Sequence, residues 1–252
     1  NLQVLERLEY IAGMYVPFVK LDVRNTPALN KVFEQYSIDA VIHTAAFKSI
    51  EESRLKPLEY YNDNLSCIMS LMRSMQRTGV RNLVHLSSLA VYGQSSLELN
   101  ENTPFNFNNS NPYIKSQQMI EEIIRDTVKT DNEWNVAILR VGNVVGAFEQ
   151  RDYIELQQSA QTEDQTVERS FVHVLDVCDA IFASLYWFNH QQNVCESFDI
   201  GGYSLSIQQI LTEIEKVTGQ QIKTIEATYS FDELDQIGSN SSKAEQLLAW
   251  RA

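Results

Sequence analysis

Short apolar runs alternate along this chain with longer stretches in which apolar residues recur every three or four positions. Short buried runs predict strands at Val16–Lys20, Ala40–His43, Leu83–Ser87 and Val136–Arg140. The periodic stretches between them predict helices at Pro27–Tyr36, with Thr26 as N-cap, at Pro57–Thr78, closed by Gly79, and at Pro112–Thr130. Strands that alternate with helices indicate an α/β protein, in which a parallel sheet carries helices on both faces.

The pattern loosens after Arg140. The segment Ala147–Glu168 is polar and predicts an irregular connection. Beyond it the pattern predicts a strand at Ser197–Ile200 and helices at Asp176–Asn189, Ser206–Thr218, Ser230–Ile237 and Ser241–Leu248. We therefore expect a first domain over residues 1–146 and a smaller α/β lobe over 147–252, with the strand and helix near 170–190 free to pack back on the first domain.

Composition and net charge exclude some classes of binding partner and some kinds of site. The 252 residues carry a formal net charge of −13, which argues against nucleic acid or an anionic membrane as the main partner. No apolar run approaches the roughly 18–20 residues that a membrane span needs. The three cysteines are far apart and the four histidines show no ligand spacing, so a disulfide framework and a metal site are not expected. A cytoplasmic protein is the expectation.

Glycine placement bears on nucleotide binding. A dinucleotide-binding fold opens with a strand, a glycine-rich turn and a helix whose N-terminus holds the pyrophosphate. The glycines of this chain are scattered and match no such turn. We expect this sequence to lack the first βαβ unit of a Rossmann-like fold. Either a preceding segment is missing from the sequence or the protein dispenses with the loop.

Ordered motifs carry a resemblance to one family. They lie at Leu21–Asn25, Val41–Lys48, Glu51–Tyr61, Leu86–Gly93, Asn111–Glu121, Leu139–Ala147, Arg169–Asp176 and Ser242–Trp250. In this order, over nearly the whole chain, they resemble the UDP-glucose (UDP-galactose) 4-epimerase family of the extended short-chain dehydrogenases. The resemblance implies NAD as cofactor, a UDP-sugar as substrate and a homodimer formed through Pro57–Thr78 and Pro112–Thr130.

The resemblance also implies a role for individual residues. Tyr113 takes the place of the acid/base and Ser88 that of its partner, although either residue could instead serve only packing. The implied cofactor residues are Asp22, Val23, Ala45, Lys48, Asp63, Ser88 and Tyr113. Asn143 and Arg169 take substrate positions, and Arg169 could alternatively be a surface ion-pair partner of Asp22 or Asp176.

Several residues depart from the family pattern. Gln117 takes the place of the lysine one helical turn after Tyr113, and Lys115 would point to another side of that helix. Asp63 replaces an asparagine, Gly142 an aromatic residue, and Ser230 an arginine of the diphosphate site. Two hypotheses follow: an epimerase-type enzyme that is impaired in this form, or a non-catalytic binding or scaffold protein.

Overall fold

The computed structural model of this protein describes residues 2–93, 99–107, 111–146, 168–219 and 240–252. Its main sheet holds four parallel strands in the order β1-β2-β3-β6. These strands are β1 (Ala40–His43), β2 (Asn82–Ser88), β3 (Asn135–Val141) and β6 (Val194–Ile200). The Rossmann-like parallel sheet predicted from the sequence is confirmed.

Helices cover both faces of this sheet. On one face, α2 (Thr26–Gln35), α4 (Pro57–Thr78) and α5 (Pro112–Val128) bury a core that includes Leu29, Ile68 and Ile124. On the other face, α6 (Val174–Phe188) and α8 (Ser242–Leu248) bury a second core around Val177, Phe198 and Leu248. Because each strand sends alternate side chains to the two faces, both cores need apolar residues on the same strands. This explains the continuous apolar runs in the sequence.

A second, three-stranded sheet follows the main one. It contains β4 (Asn143–Val145), β5 (Glu168–His173) and β7 (Tyr203–Ser206), with β5 parallel to β4 and antiparallel to β7. The remaining helices are α1 (Leu2–Ala12), α3 (Ile50–Leu55) and α7 (Ile207–Thr218). Since β6 belongs to the main sheet, residues beyond 146 contribute to the first domain's core, and a division at residue 146 stays a prediction.

Some predicted elements differ from the structure. No strand forms at Val16–Lys20, where Phe18 and Val19 are exposed. An extended run becomes a strand only when a neighbour satisfies its backbone groups, and the described residues provide none there. The N-cap of α2 is Asn25 rather than Thr26, because the Asn25 side chain accepts the Ala28 N–H. The predicted helix Ser230–Ile237 and nearly all of Ala147–Glu168 lie outside the described residues.

Of the helices in the described ranges, none combines the length and apolar character needed to cross a membrane.

Candidate active site

Ser88 lies at the carboxyl end of β2, where the chain turns away from the sheet. A 3₁₀ turn, Leu89–Tyr92, begins there, and the Ser88 hydroxyl accepts the Ala90 N–H at 3.2 Å. Gly93 then ends the turn with a φ of 71°, which suits glycine. Carboxyl ends of parallel strands form the crevice in which such sheets bind ligands, so Ser88 stands at the expected edge.

Tyr113 lies in the first turn of α5. Pro112 precedes it at the helix start and the Asn111 side chain accepts the Ile114 N–H at 3.0 Å, which fixes where the helix begins. Ser88 lies close enough to Tyr113 for its hydroxyl to lower the pKa of the phenol, so the structure brings the two predicted residues near each other. Burial raises the pKa of Tyr113 to about 12, the nearby Ser88 hydroxyl opposes the rise, and Tyr60 adds to it.

Gln117 follows Tyr113 by one turn of α5 and is buried. Its Nε2 has no hydrogen-bond partner among the described residues. A buried amide donor without a partner costs free energy unless something else accepts from it. Gln117 therefore offers a donor beside Tyr113, but it offers no positive charge.

Tyr60 is a member of this site that the sequence analysis did not single out. It is 2 % exposed, and its hydroxyl donates to Glu52 and accepts the Ser49 N–H, both at 3.1 Å. Its position in α4, the helix that packs against α5, brings it near Tyr113. No spacing in the sequence predicts this proximity, because it depends on how two helices cross.

Asp22 and Asp63, two predicted cofactor residues, are joined by Arg24. Arg24 donates to Asp22 through Nη2 at 2.6 Å and also forms an ion pair with Asp63. This pairing lowers the pKa of Asp22 to about 2. The charge of Asp63 is therefore compensated rather than free to repel an anionic ligand.

Three other predicted cofactor residues lie outside the strands. Val23 is partly buried against the first core, while Ala45 and Lys48 are exposed in the segment that follows β1. All three remain accessible in part, as cofactor-contacting residues must be. Their assignment stays a prediction.

The predicted substrate residues lie on the second sheet. Asn143 begins β4 and donates through Nδ2 to the Ser170 carbonyl at 3.3 Å, and Arg169 lies on β5 with 9 % exposure. A side chain at Gly142 would approach the Ser170 carbonyl oxygen to 2.9 Å, which explains why an aromatic residue is absent there. Ser230 lies outside the described residues.

Comparisons with known proteins agree with this arrangement. Residues 2–201 match the NAD dependent epimerase/dehydratase family. UDP-glucose 4-epimerase 2 of Arabidopsis thaliana is 32 % identical over 280 residues, covering 100 % of this chain and 79 % of the relative. The human UDP-glucose 4-epimerase is 32 % identical over 276 residues, covering 98 % of this chain and 79 % of the relative.

A solved structure is also similar to this chain. The UDP-glucose 4-epimerase from Bifidobacterium longum, in complex with NAD⁺ and UDP, superposes with a TM-score of 0.90 at 28 % identity. The match covers 98 % of this chain and 82 % of the other. NAD is the cofactor of this family, and several of its solved members contain it. From the matched sequence, the shared sheet and the paired serine and tyrosine, we conclude that this chain belongs to the NAD dependent epimerase/dehydratase family, and within it to the UDP-glucose 4-epimerases of the extended short-chain dehydrogenase superfamily.

Proposed function

We propose that this protein acts on a UDP-sugar as an NAD-dependent 4-epimerase whose chemical step is slow in this form. The observation that carries the proposal is the closeness of Ser88 to Tyr113 beside the neutral Gln117. The adjacent serine and tyrosine support an epimerase site. The neutral neighbour supports a low rate.

In this proposal Tyr113 takes the proton from the sugar 4-hydroxyl and later returns it, while Ser88 holds the phenol oxygen in place. NAD, when bound, supplies reversible hydride acceptance, which is chemistry that no side chain of the protein provides. The residues that would hold NAD are Asp22 and Val23 at one end, Ala45, Lys48 and Asp63 between, and Ser88, Tyr113 and Gln117 at the reacting end.

The fit of these residues to NAD is partial. The Nε2 of Gln117, which has no partner among the described residues, would donate to a ribose hydroxyl. Arg24 forms an ion pair with Asp63 and so compensates its negative charge. Against this, no glycine-rich loop is found in the 252-residue sequence to hold the pyrophosphate. We therefore expect NAD to bind this chain no tighter than about millimolar, or roughly −4 kcal/mol.

Substrate binding is proposed for Asn143 and Arg169. The guanidinium of Arg169 suits a diphosphate, because its fork of N–H groups matches two phosphate oxygens. The resemblance implies that Ser230 occupies the position of an arginine that contacts the diphosphate. A serine would not provide such a contact. We therefore expect a weaker hold on the diphosphate than an arginine pair gives.

The pKa of Tyr113 supports a slow chemical step. A phenol with a pKa of about 12 is ionised to roughly one part in 10⁵ at pH 7, against about one part in 10³ for an ordinary tyrosine. Fewer molecules then hold the tyrosine in the form that accepts the substrate proton.

A second candidate is a non-catalytic protein that binds a nucleotide sugar or acts as a scaffold. The observation that favours it is again Gln117, because an amide can bind a ribose without activating Tyr113. Binding of UDP-galactose without turnover at any pH would support this candidate over the enzyme.

A homodimer and a cytoplasmic location belong to the proposal as well. Leu58 and Met69 of α4 and Met119 of α5 are exposed apolar residues on the two helices implied in dimer formation. Sedimentation would test the dimer. The three cysteines, free in the structure, support a reducing compartment.

Ligand-observed NMR tests binding at the expected weak affinity. We expect saturation transfer from the protein to UDP-galactose and to NAD, with Arg169→Lys weakening the transfer to the nucleotide and Lys216→Ala, on the exposed face of α7, serving as the control. Equal transfer in the parent and Arg169→Lys would remove Arg169 from the site. No transfer from either ligand would refute the proposal.

A further inference from the structure

A row of polar residues crosses three neighbouring strands at the carboxyl edge of the main sheet. The parallel register pairs Ser87 of β2 with Arg140 of β3, and Arg140 with Asp199 of β6. All three are buried, and Asp199 is 0 % exposed. Buried charges are costly unless they are paired and hydrogen-bonded, so the contacts of this row indicate what it does.

Hydrogen bonds join this row into one chain. Glu121 of α5 accepts from Arg140 Nη2 at 2.8 Å and from the Ser87 hydroxyl at 2.6 Å. Arg140 Nη1 donates to the Tyr92 hydroxyl at 2.7 Å, and that hydroxyl donates to Asp199 Oδ1 at 2.6 Å. The chain therefore runs from β2 through α5 and β3 to β6.

This hydrogen-bonded chain lies on the elements that carry Ser88 and Tyr113. Ser87 precedes Ser88 directly, and Tyr92 ends the 3₁₀ turn that Ser88 begins. Glu121 lies two helical turns after Tyr113 on the same face of α5. Both ends of the segment that carries Ser88, and the helix that carries Tyr113, are thus held by the same chain of contacts.

Asp199 is the last residue of this hydrogen-bonded chain, and burial near other carboxylates disfavours its charged form. The carboxylates of Glu101 and Glu121 lie near it, and Arg140 is the cation that faces them. Its backbone N–H donates to Glu101 at 3.0 Å, while its Oδ2 has no partner among the described residues. Without an acceptor at this position, the buried Tyr92 hydroxyl would have no group to which it could donate.

We propose that Asp199 is a positioning residue of the site: by accepting the Tyr92 hydroxyl, it fixes the turn that carries Ser88 and keeps Ser88 close to Tyr113. The inference rests on the proposed function for its catalytic meaning. The geometry that it claims can be measured without any turnover.

Fluorine NMR of protein labelled with 3-fluorotyrosine tests the geometry. The Tyr113 signal, assigned with Tyr113→Phe, should shift or broaden in Asp199→Ala and in Tyr92→Phe, because both remove the same hydrogen bond. It should stay in place in Asp199→Asn, which keeps an acceptor oxygen. Asp131→Ala is the matched control, because Asp131 accepts from Arg81 at 2.8 Å near the amino ends of the strands, far from Ser88.

An unmoved Tyr113 signal in the folded Asp199→Ala and Tyr92→Phe variants would overturn the proposal. If Asp199→Ala does not fold, Tyr92→Phe carries the test, because it removes one oxygen atom and keeps the ring.

Turnover of UDP-galactose separates this inference from the proposed function. In the Gln117→Lys background, where the rate should be high enough to measure, Asp199→Ala should lower kcat about ten- to a hundredfold with KM little changed, since small misplacements of reacting groups cost rates of that order. Asp199→Asn should retain the kcat of that background. A shifted signal with an unchanged kcat would overturn the positioning role. A parent that binds neither NAD nor UDP-galactose would refute the proposed function, while the fluorine signals would still decide the geometry.

Discussion

At the scale of single residues, Tyr113 is surrounded by groups that disfavour its ionisation. Burial and Tyr60 raise its pKa, and only the nearby Ser88 hydroxyl opposes them. A positive charge within about 4–6 Å would lower this pKa by 1–3 units. Gln117 stands one turn along the helix, where such a charge would act, and it is neutral.

Gln117→Lys should therefore raise the rate of UDP-galactose epimerisation. Lowering the pKa of Tyr113 by 1–3 units corresponds to about ten- to a thousandfold in rate if the effect is fully expressed in the transition state. The rising limb of the pH–rate profile, measured by coupled detection of UDP-glucose, should move to lower pH.

Gln117→Met is the matched control, because it is similar in length and carries no charge. It should leave the pH–rate profile where it is in the parent. Equal gains in Gln117→Met and Gln117→Lys would mean that packing, and not charge, limits the reaction. No gain in Gln117→Lys, with Tyr113 still close to Ser88, would mean that the lysine position is not limiting.

The sequence predicts some site residues better than others. Ser88 and Tyr113 were predicted as a pair because each lies in a motif at a strand end or a helix start, and the structure places the two residues near each other; their roles stay a prediction. The ion pair between Arg24 and Asp63 was not predicted, since it joins positions 39 residues apart. The proximity of Tyr60 to Tyr113 was not predicted for the same reason, since the two residues lie on different helices.

At the scale of elements, β1 and β2 share a buried pair of histidines. His43 and His85 face each other in register, and their Nδ1 atoms are 3.0 Å apart. Burial lowers the pKa of His43 to about 4 and also lowers the pKa of His85. The folded protein therefore resists protonation that an unfolded chain, with histidine pKa near 6.5, accepts.

The free energy of unfolding should therefore be unaffected by this pair above about pH 6.5. It should decrease as the pH drops towards 4, by about 3 kcal/mol at most for His43. Urea unfolding at a series of pH values should show a shallower acid loss in the double variant His43→Leu/His85→Leu. His190→Asn, at an exposed histidine, should keep the parent's slope. A double variant as acid-sensitive as the parent would contradict the assignment.

Asp199 should act in the opposite direction over part of the same range. Burial raises its pKa to about 7, so its folded form holds a proton that the unfolded chain, with a carboxyl pKa near 4, releases. Stability is then full below about pH 4 and is lost as the pH rises through 7. Relative to the parent, Asp199→Asn should gain stability from pH 4 to 8, by up to about 4 kcal/mol.

Asp131→Asn is the control with the reverse sign, because hydrogen bonds from the Glu133 N–H and Arg81 lower the pKa of Asp131. It should lose stability at neutral pH relative to the parent, and the difference should vanish as the pH falls below the range of ordinary carboxyls. If Asp199→Asn lost stability with rising pH as the parent does, the raised pKa of Asp199 would be wrong.

Element prediction succeeded where local signals were complete. Pro57–Thr78 was predicted to the residue, because a proline begins the helix and Gly79, with a φ of 79°, ends it. Ala40–His43 was also predicted to the residue. The strand predicted at Val16–Lys20 did not form, because strand formation depends on a neighbouring strand. A strand was expected near residue 170 without exact bounds, and β5 lies there, at Glu168–His173.

At the scale of the whole molecule, the fold of the family is retained although several residues of the candidate site differ from the family pattern. The chain keeps the family's sheet, with a TM-score of 0.90 to a solved UDP-glucose 4-epimerase at 28 % identity. The residues at positions 117 and 142 are compatible with that fold. Gln117 is accommodated as a buried amide, and Gly142 lies where a larger side chain would collide with Ser170. A fold match therefore supports the family, whereas activity depends on the site.

The central claim is that this chain holds an epimerase site whose tyrosine is correctly placed but not activated. A coupled assay of UDP-glucose formation from UDP-galactose, with saturating NAD, tests it on the parent and Tyr113→Phe side by side. We predict a barely measurable rate in the parent that rises with pH and is lost in Tyr113→Phe. A rapid rate in the parent at pH 7, or a rate that survives Tyr113→Phe, would contradict the account.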